Sequence, residues 1–178
     1  MRYAALLRGI NVGGNKMLAM ADLRALLAGL GYADVTTYLQ SGNAVFSCPD
    51  QPPPALAAAI EERVARELGL RLRVIIRTGS ELADVVSRSP LPDGPENPAR
   101  FFVAFLSAVP DAAAVRDMEH QAFGADRIWI SGAEAYLWCP NGSADSPLTK
   151  GIIDKRLGVT ATSRNWNTVT KLVSLVNG

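Results

Sequence analysis

Val35-Thr36-Thr37-Tyr38-Leu39-Gln40-Ser41-Gly42-Asn43-Ala44-Val45-Phe46-Ser47 is the stretch on which the reading of the fold turns. Two β-rich runs, 35–40 and 44–47, flank Ser41-Gly42-Asn43, and small polar residues with a glycine between apolar alternations are the chemistry of a hairpin with a short loop. The same grammar returns at 128–139, where runs 128–130 and 136–139 flank Ser131-Gly132-Ala133. Two similar hairpins in one chain imply two similar halves.

Outward from the first hairpin, residues 3–7 form a short apolar run ended by Arg8 and a glycine-rich loop, 9–15. Leu23, Leu26, Leu27 and Leu30 recur at helical spacing, with Gly31 placed for a C-terminal cap. After the hairpin, Pro52-Pro53-Pro54 introduce a helix with Leu56, Ile60, Val64 and Leu68 on one face. Gly69 ends it before a strand over 70–77. The first half therefore reads βαββαβ. Pro90, Pro92, Pro95 and Pro98 mark residues 88–99 as an irregular connection. A second βαββαβ follows: a strand at 101–106, a helix at 112–123, the second hairpin, a helix at 147–157 and a strand at 159–162. A terminal helix over 166–176 carries Trp166, Val169, Leu172, Val173 and Val176 on one face. The expected architecture is α+β: two ferredoxin-like units, 1–88 and 99–178, packed together, with an extra C-terminal helix.

Composition bounds the function. Lys plus Arg total 18 against 17 Asp plus Glu, so the formal charge of +1 provides no global field for a polyanion, and any anion site must be local. Residues 1–21 hold Arg2, Arg8 and Lys16 without an acid; residues 150–178 hold five basic residues against Asp154 alone. Cys48 and Cys139 are too few for a disulfide framework and lack metal-site spacing, and no run approaches membrane-spanning length. A cytoplasmic protein with no membrane partner is expected.

Motifs over most of the chain resemble one family. The run Leu7-Arg8-Gly9-Ile10-Asn11-Val12-Gly13-Gly14, then Gly31-Tyr32 and Thr37-Tyr38-Leu39-Gln40-Ser41-Gly42-Asn43, is similar to the opening of the bacterial family catalogued as domain of unknown function 1697. Ala161-Thr162-Ser163-Arg164-Asn165-Trp166-Asn167-Thr168-Val169, with Lys171-Leu172, resembles that family's ending. The resemblance implies an α/β structure with ferredoxin-like subdomains. It implies no activity, cofactor or catalytic residue.

The loop holding Arg8, Asn11, Gly13, Gly14 and Lys16 lies between a strand and a helix, where backbone N–H groups bind anions. It is not a phosphate loop, since Asn15 separates Gly14 from Lys16 and Met17 stands where a Ser or Thr would meet magnesium; nor is it a dinucleotide fingerprint, since Asn11 occupies a required glycine position. Its glycines serve a tight turn or an anion. Arg164, Asn165 and Asn167 are expected at a helix start, with Ser163 or Asn165 as cap, Trp166 in a seam, or the group facing an anion. Ser41 and Asn43 belong to a turn, without a G-x-S-x-G elbow or a neighbouring histidine base; His120, the single histidine, reads as a surface residue. Arg71, Arg73 and Arg77 alternate along the strand over 70–77 and give it a basic face, which protects an edge or tracks a phosphate backbone.

Three functional readings follow. The first is binding of an anionic or nucleotide-like ligand where loop 9–16 meets segment 164–167, by Arg8, Asn11, Gly13, Gly14, Lys16, Ser41, Asn43, Arg164, Asn165 and Asn167. The second is an enzyme acting on a phosphorylated or nucleotide substrate. The third is a structural or protein-interaction module. Nucleic acid is a lesser expectation as partner, no residue set suggests a metal, and cofactor and oligomeric state are unassigned.

Overall fold

The computed structural model describes residues 1–178. The chain divides into two compact units, unit 1 from Met1–Ala83 with Leu172–Gly178, and unit 2 from Asp84–Lys171. No helix is long and apolar enough to cross a membrane.

Unit 1 contains β1 (Arg2–Leu7), α1 (Met20–Gly29), β2 (Ala33–Tyr38), β3 (Asn43–Ser47), α2 (Pro53–Leu68) and β4 (Val74–Thr78). The strands form one antiparallel sheet in the order β2-β3-β1-β4, the order of a ferredoxin-like βαββαβ unit. Tyr3, Ala4, Ala5, Leu6 and Leu7 are all fully buried, so β1 is buried on both faces and reads as an unbroken apolar run rather than an alternation. Tyr3, Ala5 and Leu7 share a core with Leu23 and Leu27 of α1 and Leu56, Ile60 and Val64 of α2. Helix α1 ends in a Schellman arrangement: Gly31 has φ +84°, its N–H donates to Ala28 O, and Tyr32 N–H donates to Leu27 O. In α2 the stripe stops short of the last turn, where Leu68 is exposed.

Unit 2 repeats the pattern with β5 (Phe101–Leu106), α4 (Ala112–His120), β6 (Arg127–Ser131), β7 (Glu134–Trp138), α5 (Ile152–Leu157) and β8 (Ala161–Asn165), in the order β6-β7-β5-β8. Asp111 caps α4 by accepting from Ala113 and Ala114 N–H at 2.9 and 3.3 Å. The helix expected over 147–157 is interrupted: a 3-10 turn, Pro147–Thr149, precedes α5, and Gly151 between them has φ +83°.

Two helices complete the chain, α3 (Gly79–Ser87) and α6 (Trp166–Asn177). The sequence reading had no α3, yet Thr78-Gly79-Ser80-Glu81 is a capping box. Glu81 N–H donates to Thr78 Oγ1 at 3.2 Å, and Thr78 N–H donates to the Glu81 carboxylate at 2.8 Å. The strand expected over 70–77 starts only at Val74, so Arg71 and Arg73 precede β4. Arg77, within it, is 8% exposed. The basic strand face does not exist. Similarly β8 runs to Asn165, so Arg164 sits inside a strand rather than at a helix start.

The strand ladders of the two units correspond in register, apart from an irregularity between Ala33 and Thr36 of β2 that β6 lacks. Leu6 faces Asn43 as Phe105 faces Glu134, and Ala4 faces Arg77 as Val103 faces Arg164. Leu7 N–H donates to Gly42 O as Leu106 N–H donates to Ala133 O; Cys48 N–H donates to Met1 O as Cys139 N–H donates to Arg100 O. Buried Arg77 and Arg164 each donate to the carbonyl of the preceding residue, Ile76 at 3.0 Å and Ser163 at 2.9 Å. Both cysteines are buried, and burial pushes both thiols up, which keeps them in the unreactive neutral form.

Gly42 is the tightest turn position. Its φ is +86°, and a Cβ there would lie 2.7 Å from Ile10 Cδ1 and 2.9 Å from Leu7 Cβ. Gly42→Ala should lower the unfolding free energy by about 2–4 kcal/mol, left-handed strain plus overpacking. Gly132→Ala, at φ +61° with only Arg88 Nη1 at 3.6 Å, should cost only the strain, about 1–2 kcal/mol. Urea denaturation of both variants checks the contrast. A second expectation concerns Tyr136, buried and donating to Val85 O at 2.6 Å, its phenol pushed up to about 12 by burial. The folded state holds the phenol proton more tightly than the unfolded chain, so this stabilisation is complete below pH 10 and fades between pH 10 and about 12. Tyr136→Phe should cost about 1–3 kcal/mol at neutral pH, and the gap from wild type should narrow through that window.

Candidate functional site

The loop after β1 is fixed before any ligand is considered. Register Leu7↔Val74 continues one residue past the strands, where Arg8 N–H donates to Arg73 O at 2.9 Å. Beyond it, Asn11 N–H donates to Lys16 O at 3.2 Å, and Asn15 N–H donates to Val12 O at 3.1 Å. Gly13 and Gly14, with φ +61° and +77°, form a miniature hairpin tip of the type I′ kind. Asn11 and Lys16 also have positive φ, +54° and +46°. Because α1 starts only at Met20, the loop does not run into a helix N-terminus, contrary to the sequence expectation; residues 17–19 intervene.

Asn11 anchors this loop. Its amide donates to Leu18 O at 2.9 Å and Gln40 O at 2.7 Å, and its carbonyl oxygen accepts from Leu18 N–H at 2.8 Å. Both N–H donors are thus engaged in tying the loop to the approach to α1 and to the β2–β3 connection. Asn43 is fully buried and donates to Tyr38 O at 2.7 Å and Ser41 Oγ at 3.1 Å. Ser41 is exposed but serves the same turn. These hydrogen bonds favour an architectural role for Asn11 and Asn43.

Segment 164–167 belongs to unit 2. Arg164 is 7% exposed and donates to Thr162 Oγ1 at 2.9 Å, and burial pushes its guanidinium down to about 10. Asn165 caps α6, its side-chain oxygen accepting from Thr168 N–H and Thr168 Oγ1, both at 3.0 Å. Trp166 lies against Phe101, ring centroids 5.2 Å apart, and Asn167 is exposed.

In unit 1, the side chains at the base of the loop open onto a cavity of about 450 Å³ lined by Arg8, Gly9, Lys16, Arg71, Leu72 and Arg73. Four of the six are cationic and none is acidic. Arg73 also meets Glu61 at 3.5 Å, but its side chain is 62% exposed, so that pair is weak. Of the loop residues expected to bind an anion, Arg8 and Lys16 line this cavity and Gly13 and Gly14 do not; Arg71 and Arg73, expected on a strand as edge protection or a phosphate track, join them. Only the β1–β4 register brings the two segments together.

The two units act as each other's control. By the equivalences above, Arg8 and Arg73 correspond to Ser107 and Thr160, whose backbones make the same bond, Ser107 N–H to Thr160 O at 2.8 Å. The position of Arg71 is taken by Gly158. One backbone thus carries a cationic cluster in unit 1 and neutral residues in unit 2, so the fold does not require the cluster. Arg77 and Arg164, by contrast, occur in both units and are architectural.

Asn11→Ala should remove three hydrogen bonds, with water free to take up the exposed Gln40 carbonyl, lowering stability by about 1–3 kcal/mol. Amide exchange should quicken at Leu18 first, since its N–H loses its acceptor; unchanged protection there would show that the anchor is dispensable.

The comparisons with known proteins agree with this architecture. Among curated proteins none matches the chain. Of solved structures, a conserved bacterial protein from Streptococcus pneumoniae aligns with a TM-score of 0.78 at 22% identity, covering 98% of each chain, and so shares the fold. The model of one family, described as a protein of unknown function, matches residues 1–136 and takes in both the loop after β1 and the β2–β3 turn. The Arg164 segment lies beyond that match, but 136 of 178 residues suffice to establish that the chain belongs to the DUF1697 family.

Proposed function

We propose that the protein binds a phosphate-bearing anion, nucleotide-like in class, in the cavity of unit 1 formed by Arg8, Lys16, Arg71 and Arg73. The supporting observation is the cluster of four cations around one cavity with no carboxylate in its lining, in a chain whose formal charge is only +1. Like charges gathered at one mouth repel one another, and a bound anion removes that repulsion. A volume of about 450 Å³ falls in the range of small-molecule sites.

The chemistry is recognition. Guanidinium groups from two segments present flat donor forks to phosphate oxygens, while the Lys16 ammonium adds a mobile point charge. Gly9, with φ +68° and nothing within 4 Å of the site of a Cβ, keeps the entrance free of a side chain. Arg164, Asn165 and Asn167, also read from sequence as ligand residues, have no part in this cavity, whose lining comes from unit 1 alone.

Titration calorimetry with pyrophosphate and with ATP tests the proposal. Saturable binding is expected at low salt. Arg71→Ala should weaken it by about tenfold or more, as loss of a charge-assisted hydrogen bond does. Lys16→Asn should weaken it less; asparagine tolerates the positive φ, so the loop is kept. Affinity should fall as ionic strength rises, since the cavity is open to solvent. An absence of heat with both compounds, or an unchanged affinity in the Arg71→Ala/Lys16→Asn double variant, would overturn it.

A further inference from the structure

Unit 2 has a cavity of its own, about 350 Å³, lined by Leu91, Gly94, Glu96, Arg127, Trp129 and Trp138. Its floor follows from the β6–β7 register. Arg127 pairs directly with Trp138 and Trp129 with Tyr136, so Trp129 and Trp138 stand diagonally on one face of the sheet with Arg127 beside both. Its wall is the proline-rich connection, where Gly94 N–H donates to Leu91 O at 2.9 Å and closes a turn that carries Glu96 past the indoles. Both tryptophans are half-buried, whereas Arg127 and Glu96 are exposed.

The comparison between units shows that the fold does not demand this set. The ladder equivalents of Arg127, Trp129 and Trp138 in unit 1 are Ala33, Thr36 and Ser47. The two indoles are only partly buried, so each keeps some apolar surface in water, and the cross-strand partner of one of them is a cation whose charge requires solvent or an anion. The four side chains have complementary uses. Indole faces stack on flat rings, a carboxylate accepts from ring N–H groups, and a guanidinium holds an acidic group. The guanidinium in the floor disfavours a purely cationic guest, such as an alkylammonium, which the aromatic and acidic residues alone would suit.

We infer that this cavity is a second ligand site, taking a flat nitrogen heterocycle that carries an anionic group, of the nucleoside monophosphate class. Trp129 and Trp138 contact the ring, Glu96 accepts from its N–H edge, and Arg127 binds the phosphate. This assignment is independent of the phosphate cavity in unit 1, because no lining residue is shared.

The test uses the three tryptophans of the chain, Trp129, Trp138 and Trp166, all of which lie in unit 2. In the nitrogen-15-labelled full-length protein, guanosine monophosphate should shift the indole N–H resonances of Trp129 and Trp138 and leave that of Trp166 in place. Arg127→Ala should weaken this response by about tenfold or more, while guanosine, without a phosphate, should act equally on wild type and variant. Glu96→Gln should weaken both compounds. Arg71→Ala, which removes a cation of the unit 1 cavity, should leave the indole response unchanged, so failure at one site is separable from failure at the other. The inference is overturned if no indole resonance moves at millimolar nucleotide, if all three move alike, or if Arg127→Ala binds the nucleotide as tightly as wild type.

Discussion

The end of β1 is held from both sides, and much of unit 1 follows from that. Leu7 N–H is committed to Gly42 O and Arg8 N–H to Arg73 O, so the central strand leaves the sheet with both neighbours fixed. The first bond requires the β2–β3 connection to come close, and only a residue without a Cβ fits against Leu7 and Ile10. The second draws the approach to β4 alongside the loop after β1, and that juxtaposition makes a cluster out of cations more than fifty residues apart in sequence. Asn11 completes the arrangement by tying the loop to Gln40 and Leu18. The tight turn and the candidate anion site are therefore consequences of one strand ending.

The repeat separates what the fold needs from what it tolerates. Cysteines at positions 48 and 139, arginines at 77 and 164, and buried polar residues at 43 and 134 recur because the same ladder sites recur. Asn43 and Glu134 solve one problem with different chemistry. The amide turns back on its own hairpin, whereas the carboxylate meets Arg88 at 3.1 Å. The surroundings that differ outright are the two cavities, cationic in unit 1 and aromatic in unit 2.

The sequence made the βαββαβ order legible because each element had an independent marker: Gly31 and Gly69 as helix stops, two glycine-bearing hairpins, and the prolines between the units. What misled was alternation. Arg71-Leu72-Arg73 has the period of a strand, but Leu72 is buried under the approach to β4 and the arginines stay outside, so period alone gave the edge the wrong start. Pro147 to Leu157 has helical composition, yet Gly151 adopts a left-handed conformation that divides it. The capping box at Thr78 was readable but hidden behind an expected strand end. For the candidate sites, the loop glycines and Arg8 were visible as motif, whereas Arg71, Arg73 and the Trp129–Trp138 diagonal are products of register, which no local pattern records.

The arginines show why charge counting along the chain does not find a site. Arg164 stands in a stretch, 150–178, with five basic residues against one acid, yet it is buried in β8, turned back on its own strand, with its affinity for the proton lowered by desolvation. A cation in that setting has its donors taken up by the fold, and removing it would leave buried acceptors unpaired. Arg71 and Arg73 stand in a stretch whose alternation suits edge protection or a phosphate track, and both are exposed and share a cavity with Arg8 and Lys16. An anion gains most from cations that remain hydrated, mutually repelling and convergent. In this chain Arg8, Lys16, Arg71 and Arg73 line one cavity at the end of β1, where the backbone brings them together, and the proposed anion site rests on that convergence.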